Sequence, residues 1–237
     1  MNTNLTNYTK WEELINLIQI KSGISGYEIG ICVKEHYGLS LNKKLPYSIS
    51  EYEFNYMKYF ILKNNLKSGY ELATGIGISS ISIGFAIGCN GGKLITVDSY
   101  LEEMIQNQPI DNTDISVSDD PLIRNKKLFN SLGLNNIHSY KAFSPACSSI
   151  LDEELDFVFF DCPKDANDFI RDASILKDRM SNKFAIFVHD THCFPNEFKR
   201  ISKDIFGIEG KFIYDFQTPN GIIKQTFPLG IITNLEL

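Results

Sequence analysis

The chain has 237 residues, a formal net charge of -6 and a pI near 5.3, and 43% of its residues are hydrophobic. This length is enough to bury a substantial core in one domain, and the acidic balance disfavours a nucleic-acid substrate, which calls for clustered Lys and Arg. Since the sequence has no positive-then-apolar leader and no run of about 18 apolar residues, we expect a soluble, cytoplasmic protein with no membrane partner.

Two amphipathic helices are predicted before the first strand. Residues 8–22 carry apolar side chains at the spacing of one helix face. The second helix starts at Ser50, which forms a capping box with Glu53. We assign residues 1–65 to a helical cap within the same domain and residues 66–237 to its main part.

The segment from residue 70 to residue 100 predicts a strand, a glycine turn, a helix and a second strand. Gly75 and Gly77 allow the backbone to approach a ligand without an intervening Cβ, and Ser79 opens the helix. Asp98 ends the second strand 21 residues after Gly77, where its carboxylate can accept hydrogen bonds from two ribose hydroxyls. The unit therefore predicts an adenosine ligand.

The nature of that ligand is indicated by Glu71. It lies four residues before Gly75, where a carboxylate would repel the pyrophosphate of NAD. Ser80 also occupies the place of the third glycine of the NAD fingerprint. An acid here suits the ammonium of S-adenosylmethionine. NAD binding and a turn without any cofactor remain as alternatives.

A long polar segment follows Asp98. Residues 101–120 are acidic and contain Pro, Asn and Asp, and such a long connection is uncommon inside a compact domain. A lid or recognition loop at the edge of the sheet is one interpretation, and disorder is the other. A helix is predicted from Pro121 to about Leu132.

The second half of the chain alternates strands and helices. The nearly continuous apolar runs 155–161 and 183–190 are typical of parallel strands buried on both faces. The turn sequence TPNG predicts a final antiparallel hairpin. The other predicted elements are a strand at 137–142, helices at 166–179 and 196–206, and strands at 211–216 and 229–235. We therefore predict an α/β fold: a doubly wound, Rossmann-like, mostly parallel seven-stranded sheet with helices on both faces.

Two of these strands end in an acid, Asp161 and Asp190. The carboxyl ends of parallel strands border one crevice, and facing carboxylates there are costly unless they are paired or bind a metal. Two carboxylates suit Mg²⁺, although each acid could instead cap a helix or bind a backbone amide. Lys164 follows Asp161 by three residues and is either a general base or an exposed lysine. Nearby candidates for ligand, base or supporting residue are His189, His192 and Asp165.

Four segments together resemble a known family. FFDCPKDANDFIRD, AIFVHDTHCFP, ELATGIGISS and LITVDS are similar to the metal-dependent O-methyltransferases of the catechol and caffeoyl-CoA type, and to the related small sugar and antibiotic O-methyltransferases. The resemblance covers roughly residues 70–235, with 101–120 as an insertion. It implies a class I S-adenosylmethionine-dependent methyltransferase, with Mg²⁺, that acts on a small hydroxylated acceptor.

The resemblance implies a role for each matching position. Asp161 and Asp190 would bind the metal, and Lys164 would take the proton of the acceptor hydroxyl. Asp98 would hold the ribose, and Ser144 would lie near the adenine. The positions assigned to the methyl-donor pocket are Glu71, Ala73, Gly75, Gly77, Ser79, Asp98, Ser144 and Asp161.

Three positions depart from the family pattern. Ala73 replaces the first glycine of the turn, and Ile223 stands where the catechol enzymes have a glutamate, which disfavours a catechol substrate. Thr191 stands in place of the usual third metal ligand, Asn, so His192 or a water completes the shell, or the metal is absent. The alternatives are a metal-independent methyltransferase acting on nitrogen or on a sugar or peptide hydroxyl, an NAD-dependent oxidoreductase, and a non-catalytic binding module. A homodimer is one option for the assembly.

Overall fold

A computed structural model of the chain describes residues 49–75, 77–99, 121–142, 151, 153–161, 165–218 and 221–237. The predicted helix at 8–22, the segment 101–120, Ser144 and Lys164 lie outside these residues. Among the helices that are described, none is both long enough and apolar enough to cross a membrane.

Five α-helices and seven strands make up the described part of the chain. The helices are α1 (Glu51–Asn64), α2 (Ile78–Cys89), α3 (Pro121–Ser131), α4 (Ala166–Leu176) and α5 (Pro195–Phe206), with short 3-10 turns at Lys177–Arg179 and Thr191–Cys193. The strands are β1 (Ser68–Leu72), β2 (Lys93–Asp98), β3 (Ile137–Lys141), β4 (Leu155–Phe160), β5 (Met180–Val188), β6 (Lys211–Thr218) and β7 (Gly221–Thr233).

The strands form one sheet in the order β3-β2-β1-β4-β5-β7-β6. The first five are parallel to one another, whereas β7 runs antiparallel to both β5 and β6. The chain therefore starts in the middle of the sheet, winds outward to β3, and returns to the other side of β1 to place β4. The predicted doubly wound, seven-stranded fold with a terminal hairpin is confirmed.

Both faces of the sheet are buried, which explains the continuous apolar runs of β4 and β5. Because side chains alternate along a strand, Phe157 and Phe159 join the core beneath α1, α2 and α3. Val158 and Phe160 point to the other face and join the core beneath α4 and α5. A strand between two helical layers therefore has no solvent face on which polar residues would appear.

Helix α1 begins with the predicted capping box. The amide of Glu53 donates to Ser50 Oγ at 3.2 Å, and the amide of Ser50 donates to Glu53 Oε2 at 2.8 Å. Met57 and Ile61 are fully buried in the same core as the sheet residues. The helix thus packs as part of the main domain, while the boundary after residue 65 stays a prediction.

The last strand is longer than predicted. β7 starts directly after the turn, where Gly221 pairs with Thr218, and not at residue 229. The register of the β6–β7 pair shifts between Ile213, which is paired with Leu229, and Asp215, which is paired with Lys224. Pro228 lies in this irregular stretch, where its missing amide costs no ladder hydrogen bond. The hairpin predicted from TPNG is confirmed, and the irregularity lets one strand tolerate a proline.

Candidate functional site

Four neighbouring parallel strands end in register at one edge of the sheet. Leu72 of β1 is paired with Val97 of β2 and with Phe160 of β4. Phe160 is in turn paired with Val188 of β5. The residues that follow these positions are, in order of the strands, Ala73, Asp98, Asp161 and His189. The winding direction changes between β1 and β4, and ligands in open α/β sheets bind at such a point.

The turn after β1 is built from residues with positive φ. Ala73, Gly75 and Gly77 have φ values of 74°, 50° and 86°. Within the described part of the chain, a Cβ on Gly75 would meet no atom within 4 Å, whereas a Cβ on Gly77 would lie 3.0 Å from the ring of Phe129. Gly77 is therefore needed for packing as well as for conformation, and Gly75 faces open space beside the sheet edge.

Two side chains hold this turn in place. The amide of Gly75 donates to Asp98 Oδ2 at 2.8 Å, and Asn125 Nδ2 of α3 donates to the carbonyl of Gly75 at 2.8 Å. Gly77 caps α2 without a side-chain hydrogen bond to the first helical amides. Those amides carry the partial positive charge of a helix start. Asn125 is a site residue that no sequence pattern marks.

Glu71 lies fully buried beneath the turn. Its Oε2 accepts hydrogen bonds from the hydroxyls of Ser80 and Thr96, the latter at 2.6 Å. Since Thr96 donates its proton to Glu71, the hydroxyl of Thr74, 2.6 Å away, donates to Thr96. Among the described residues, no side chain donates a well-aligned hydrogen bond to Oε1. Thr96 belongs to the site but lies inside an ordinary strand, where sequence gives no sign of it.

Burial raises the pKa of Glu71 to about 7. The hydroxyls of Ser79, Ser80 and Thr96 lower this pKa, and the charge of Asp161 raises it. Ser79 lies in the first turn of α2, as predicted, and its effect here is exerted on Glu71. The interaction with Asp161 places Glu71 in the electric field of the second half of the site.

The second half is a cluster of Asp161, His189 and Asp190. His189 Nδ1 lies 3.0 Å from Asp161 Oδ1 and 3.3 Å from Asp190 Oδ1. One ligand atom from each residue lies within 4.8 Å of the other two. The side chain of His189 is 6% exposed, and those of Asp161 and Asp190 are 20% and 22% exposed. The acids thus face the crevice, and the imidazole lies behind them.

A third carboxylate lies on the far side of the imidazole. Glu53 Oε1 of α1 is 3.7 Å from His189 Nε2, within ion-pair range and longer than a direct hydrogen bond. The side chain of Glu53 is 1% exposed, and its other oxygen is held by the amide of Ser50. Gln225 of β7 donates to Ser50 Oγ. Glu53 of the capping box therefore also lies beside His189, which the sequence pattern did not reveal.

The pKa of His189 is well above its usual range. Burial by itself would lower this pKa, but the charges of Asp161 and Glu53 and hydrogen bonding to Asp161 and Asp190 outweigh that effect. Among the described residues, three carboxylates thus surround this one imidazole.

The other predicted metal ligands lie differently. The hydroxyl of Thr191 is buried and donates to the carbonyl of Pro228 at 3.1 Å, so it is engaged with β7. His192 Nδ1 lies 4.0 Å from Asp190 Oδ1, and its ring lies 4.2 Å from that of Phe227. The structure therefore brings Asp161 and Asp190 together with His189, and leaves Thr191 and His192 outside the three-residue cluster.

The cluster fits a divalent cation by the chemistry of its donors. Two carboxylates and one imidazole are common metal ligands, and all three converge at the strand ends. The turn likewise fits an adenosine ligand, because Gly75 borders open space and Asp98 lies at the same edge. A carboxylate offers about four acceptor positions, so its bond to Gly75 leaves capacity for ribose hydroxyls.

Comparison with known proteins gives a likeness in structure alone. No family model and no curated protein matches the sequence. An O-methyltransferase from Bacillus cereus in complex with S-adenosylhomocysteine matches with a TM-score of 0.60 at 10% identity, over 98% of this chain and 94% of that one. TomG from Streptomyces achromogenes, an O-methyltransferase of tomaymycin synthesis in complex with S-adenosylmethionine, gives 0.56 at 12% identity, over 98% and 97%. A candidate caffeoyl-CoA O-methyltransferase from Staphylococcus aureus gives 0.53 at 16% identity, over 94% and 97%.

These likenesses extend over almost the whole of each chain. The chain therefore has the class I S-adenosylmethionine-dependent methyltransferase fold, as the resemblance in the sequence implied. At identities of 10–16% the shared property is the fold, and the activity has to be argued from the site itself.

Proposed function

We propose that this protein is an S-adenosylmethionine-dependent methyltransferase that methylates a hydroxyl oxygen of a small acceptor, assisted by a divalent cation. One observation carries the proposal. The glycine turn with Asp98 and the acids Asp161 and Asp190 lie along one edge of the sheet, on either side of the point where its winding reverses. A methyl donor and an acceptor would therefore meet between β1 and β4.

The donor half is supported by its charge and its open backbone. S-adenosylmethionine combines an adenosine with a cationic sulfonium and an ammonium group. Asp98 would accept hydrogen bonds from the ribose hydroxyls, and Gly75 would allow close approach of the ligand. Asp161, and Glu71 where it is ionised, would supply negative potential beneath the methionyl end, which disfavours a pyrophosphate.

The acceptor half is supported by the two half-buried acids. Methyl transfer is an in-line displacement that needs a deprotonated acceptor oxygen aligned with the methyl carbon and the sulfur. A bound divalent cation would stabilise the developing oxyanion. Asp161 and Asp190 are the residues that would hold it, and Lys164 is the proposed base. Mg²⁺, the cation expected from two carboxylates alone, stays a prediction.

A metal-independent methyltransferase is the second candidate, and His189 is the observation that favours it. A buried imidazole that prefers to be protonated supplies a positive charge between Asp161 and Asp190 without any metal. Such an internal ion pair would position the acceptor through Asp161 and Asp190 and would leave an acidic crevice. This candidate extends the acceptor class to amines and to sugar or peptide hydroxyls.

The cofactor assignment is tested by calorimetry with S-adenosylhomocysteine and with NAD. We expect binding of S-adenosylhomocysteine and none of NAD. Asp98→Ala should weaken that binding about 30-fold, since a charge-assisted hydrogen bond contributes about 2 kcal/mol. Asp156→Ala is the matched control. Asp156 accepts the amides of Lys67 and Ser68 at the opposite end of β1, so its loss should lower stability and leave affinity unchanged.

Two results would contradict the assignment. Tight binding of NAD with no binding of S-adenosylhomocysteine would favour an oxidoreductase. Binding of S-adenosylhomocysteine without methyl transfer to any member of a broad acceptor panel would favour a non-catalytic module.

A further inference from the structure

We propose that His189 is itself a metal ligand, completing a two-aspartate, one-histidine site, and that this site takes a first-row transition ion such as Mn²⁺ in preference to Mg²⁺. The inference rests on the proposed methyl-transfer site and specifies its cation. His189, which precedes Asp190, is then the third ligand, and Thr191, which follows Asp190, is not.

The two distances from the His189 nitrogen to the aspartate oxygens fit ligands around one ion. At bond lengths of about 2.1 Å, neighbouring ligands lie about 3.0 Å apart around an octahedral ion and about 3.4 Å apart around a tetrahedral ion. The Nδ1 atom of His189 lies 3.0 Å and 3.3 Å from the nearest oxygens of Asp161 and Asp190. A single ring nitrogen that faces two carboxylates has one proton to share, whereas a cation between them would satisfy all three donors.

The position of Glu53 gives an independent reason. A histidine that binds a metal through one nitrogen usually directs its other N–H to a carboxylate, which fixes the tautomer and the ring orientation. Glu53 Oε1 is the carboxylate on the Nε2 side of His189, and Glu53 is in turn held by Ser50. Glu53 thus lies behind His189, and the two aspartates lie in front of it. This is the order expected when one carboxylate orients an imidazole that binds a metal together with two other carboxylates.

The donor set determines which ion is preferred. Mg²⁺ is bound through oxygen and loses its waters reluctantly, so an imidazole adds little to its affinity. Transition ions gain from a nitrogen donor, increasingly along the series from Mn²⁺ to Cu²⁺. Replacing the amide oxygen of the family pattern by His189 therefore moves the selectivity of the site away from Mg²⁺.

The test measures metal binding without cofactor or acceptor. The full-length protein is stripped with EDTA and titrated with Mn²⁺ and with Mg²⁺ by calorimetry. We expect Mn²⁺ to bind at least tenfold more tightly. The His189→Gln variant should lose about 100-fold in affinity for Mn²⁺ and much less for Mg²⁺. His192→Gln is the matched control, since His192 lies beside the cluster without belonging to it, and should change both affinities less than twofold.

Pulsed electron paramagnetic resonance of the Mn²⁺ complex identifies the ligand directly. Modulation from a coupled ¹⁴N nucleus is expected in the unmodified protein and in His192→Gln, and should be absent from His189→Gln. The inference is overturned by equal affinities for the two ions, by an unmodified protein that binds no Mn²⁺, or by a Mn²⁺ complex of that protein without nitrogen coupling. Because S-adenosylhomocysteine binding is measured separately, a failure of the metal site leaves the methyltransferase proposal standing.

Discussion

The two halves of the site are constructed in different ways. The donor half is mainly backbone: a turn of three positive-φ residues, a helix start and one strand-end acid, within 28 residues from Glu71 to Asp98. The other half consists of side chains from separate parts of the chain. Glu53 comes from α1, Asp161 follows β4, and His189 and Asp190 follow β5.

This difference determines what each half tolerates. A turn that depends on φ angles is sensitive to the residue at each of its positions. A cluster of carboxylates around an imidazole has little steric demand, and its behaviour depends on how many charges it holds. Backbone substitutions should therefore act mainly on the first half, whereas the second half should respond mainly to charge substitutions.

The largest effect is expected from removing one charge of the second half. Asp161→Asn keeps the shape of the side chain and removes a carboxylate from the cluster. We expect methyl transfer to a panel of hydroxylated acceptors to fall about 1000-fold, the loss of several kcal/mol that a metal-stabilised oxyanion provides. EDTA should have a comparable effect on the unmodified protein.

The control for this experiment is Asp165→Asn. Asp165 caps α4 by accepting the amides of Asn167 and Asp168, and asparagine is an equally good cap. Asp165→Asn also removes one negative charge close to Asp161 along the chain, which matches the charge change of Asp161→Asn. Because Asp165 serves as a helix cap, the activity of this variant should stay near that of the unmodified protein. Full activity of Asp161→Asn, together with full activity in EDTA, would refute the metal-assisted mechanism. Full activity in EDTA together with a loss in Asp161→Asn would favour the metal-independent one, in which Asp161 positions the acceptor.

A smaller effect is expected from the ionisation of Glu71, which should make the stability of the protein depend on pH. Its pKa in the folded protein is raised to about 7, above the ordinary value of 4.5. The folded protein thus holds this proton where the unfolded chain has lost it, so stability falls as pH rises from about 4.5 to 7. The loss amounts to about 3 kcal/mol at about 1.4 kcal/mol per pH unit.

This prediction is checked by urea unfolding at pH 5 and pH 8. His189 also has a raised pKa and changes stability in the same direction, so the contribution of Glu71 is the difference between the unmodified protein and Glu71→Gln. We expect Glu71→Gln to be the more stable of the two at pH 8 and to lose the advantage at pH 5. An identical pH dependence in both proteins would mean that Glu71 is ionised throughout.

The comparison also explains what could be predicted from the sequence. Patterns that are local along the chain predicted the strands, the hairpin, the glycine turn and Asp98, because the residues that interact there are neighbours in sequence. The pair of Asp161 and Asp190 was predicted from strand ends, because parallel strands place them at one edge. The role of Glu53 was missed, since its capping box already accounted for an acid at that position.

The third metal ligand also depends on contacts between distant parts of the chain, which the sequence does not show. Thr191 was considered because the family pattern has a ligand after the second aspartate, yet its hydroxyl bonds to Pro228 of β7. That contact depends on the irregular stretch of β7, which no local pattern specifies. His189 stood next to Asp190 in the sequence, but only its distances in the structure, together with the position of Glu53, distinguish it from His192.

The smallest effect is expected in the turn of the donor half. Ala73 has a φ of 74°, a conformation that costs a residue with a Cβ about 1 kcal/mol and costs glycine almost nothing. Ala73→Gly should therefore stabilise the protein by about 0.5 kcal/mol, after the greater freedom of glycine in the unfolded chain is subtracted. Urea unfolding at one pH measures this difference.

Gly75→Ala is the matched substitution in the same turn, and it separates conformation from ligand contact. The φ of 50° at residue 75 makes alanine unfavourable there by about 1 kcal/mol, but the new Cβ would meet no atom of the described residues within 4 Å. If the open space beside Gly75 holds the methyl donor, the affinity for S-adenosylhomocysteine should fall by more than stability does, because the methyl group then meets the ligand. An affinity that is unchanged while stability falls would mean that Gly75 serves the turn alone, and the donor would have to lie farther along the edge, toward Asp98.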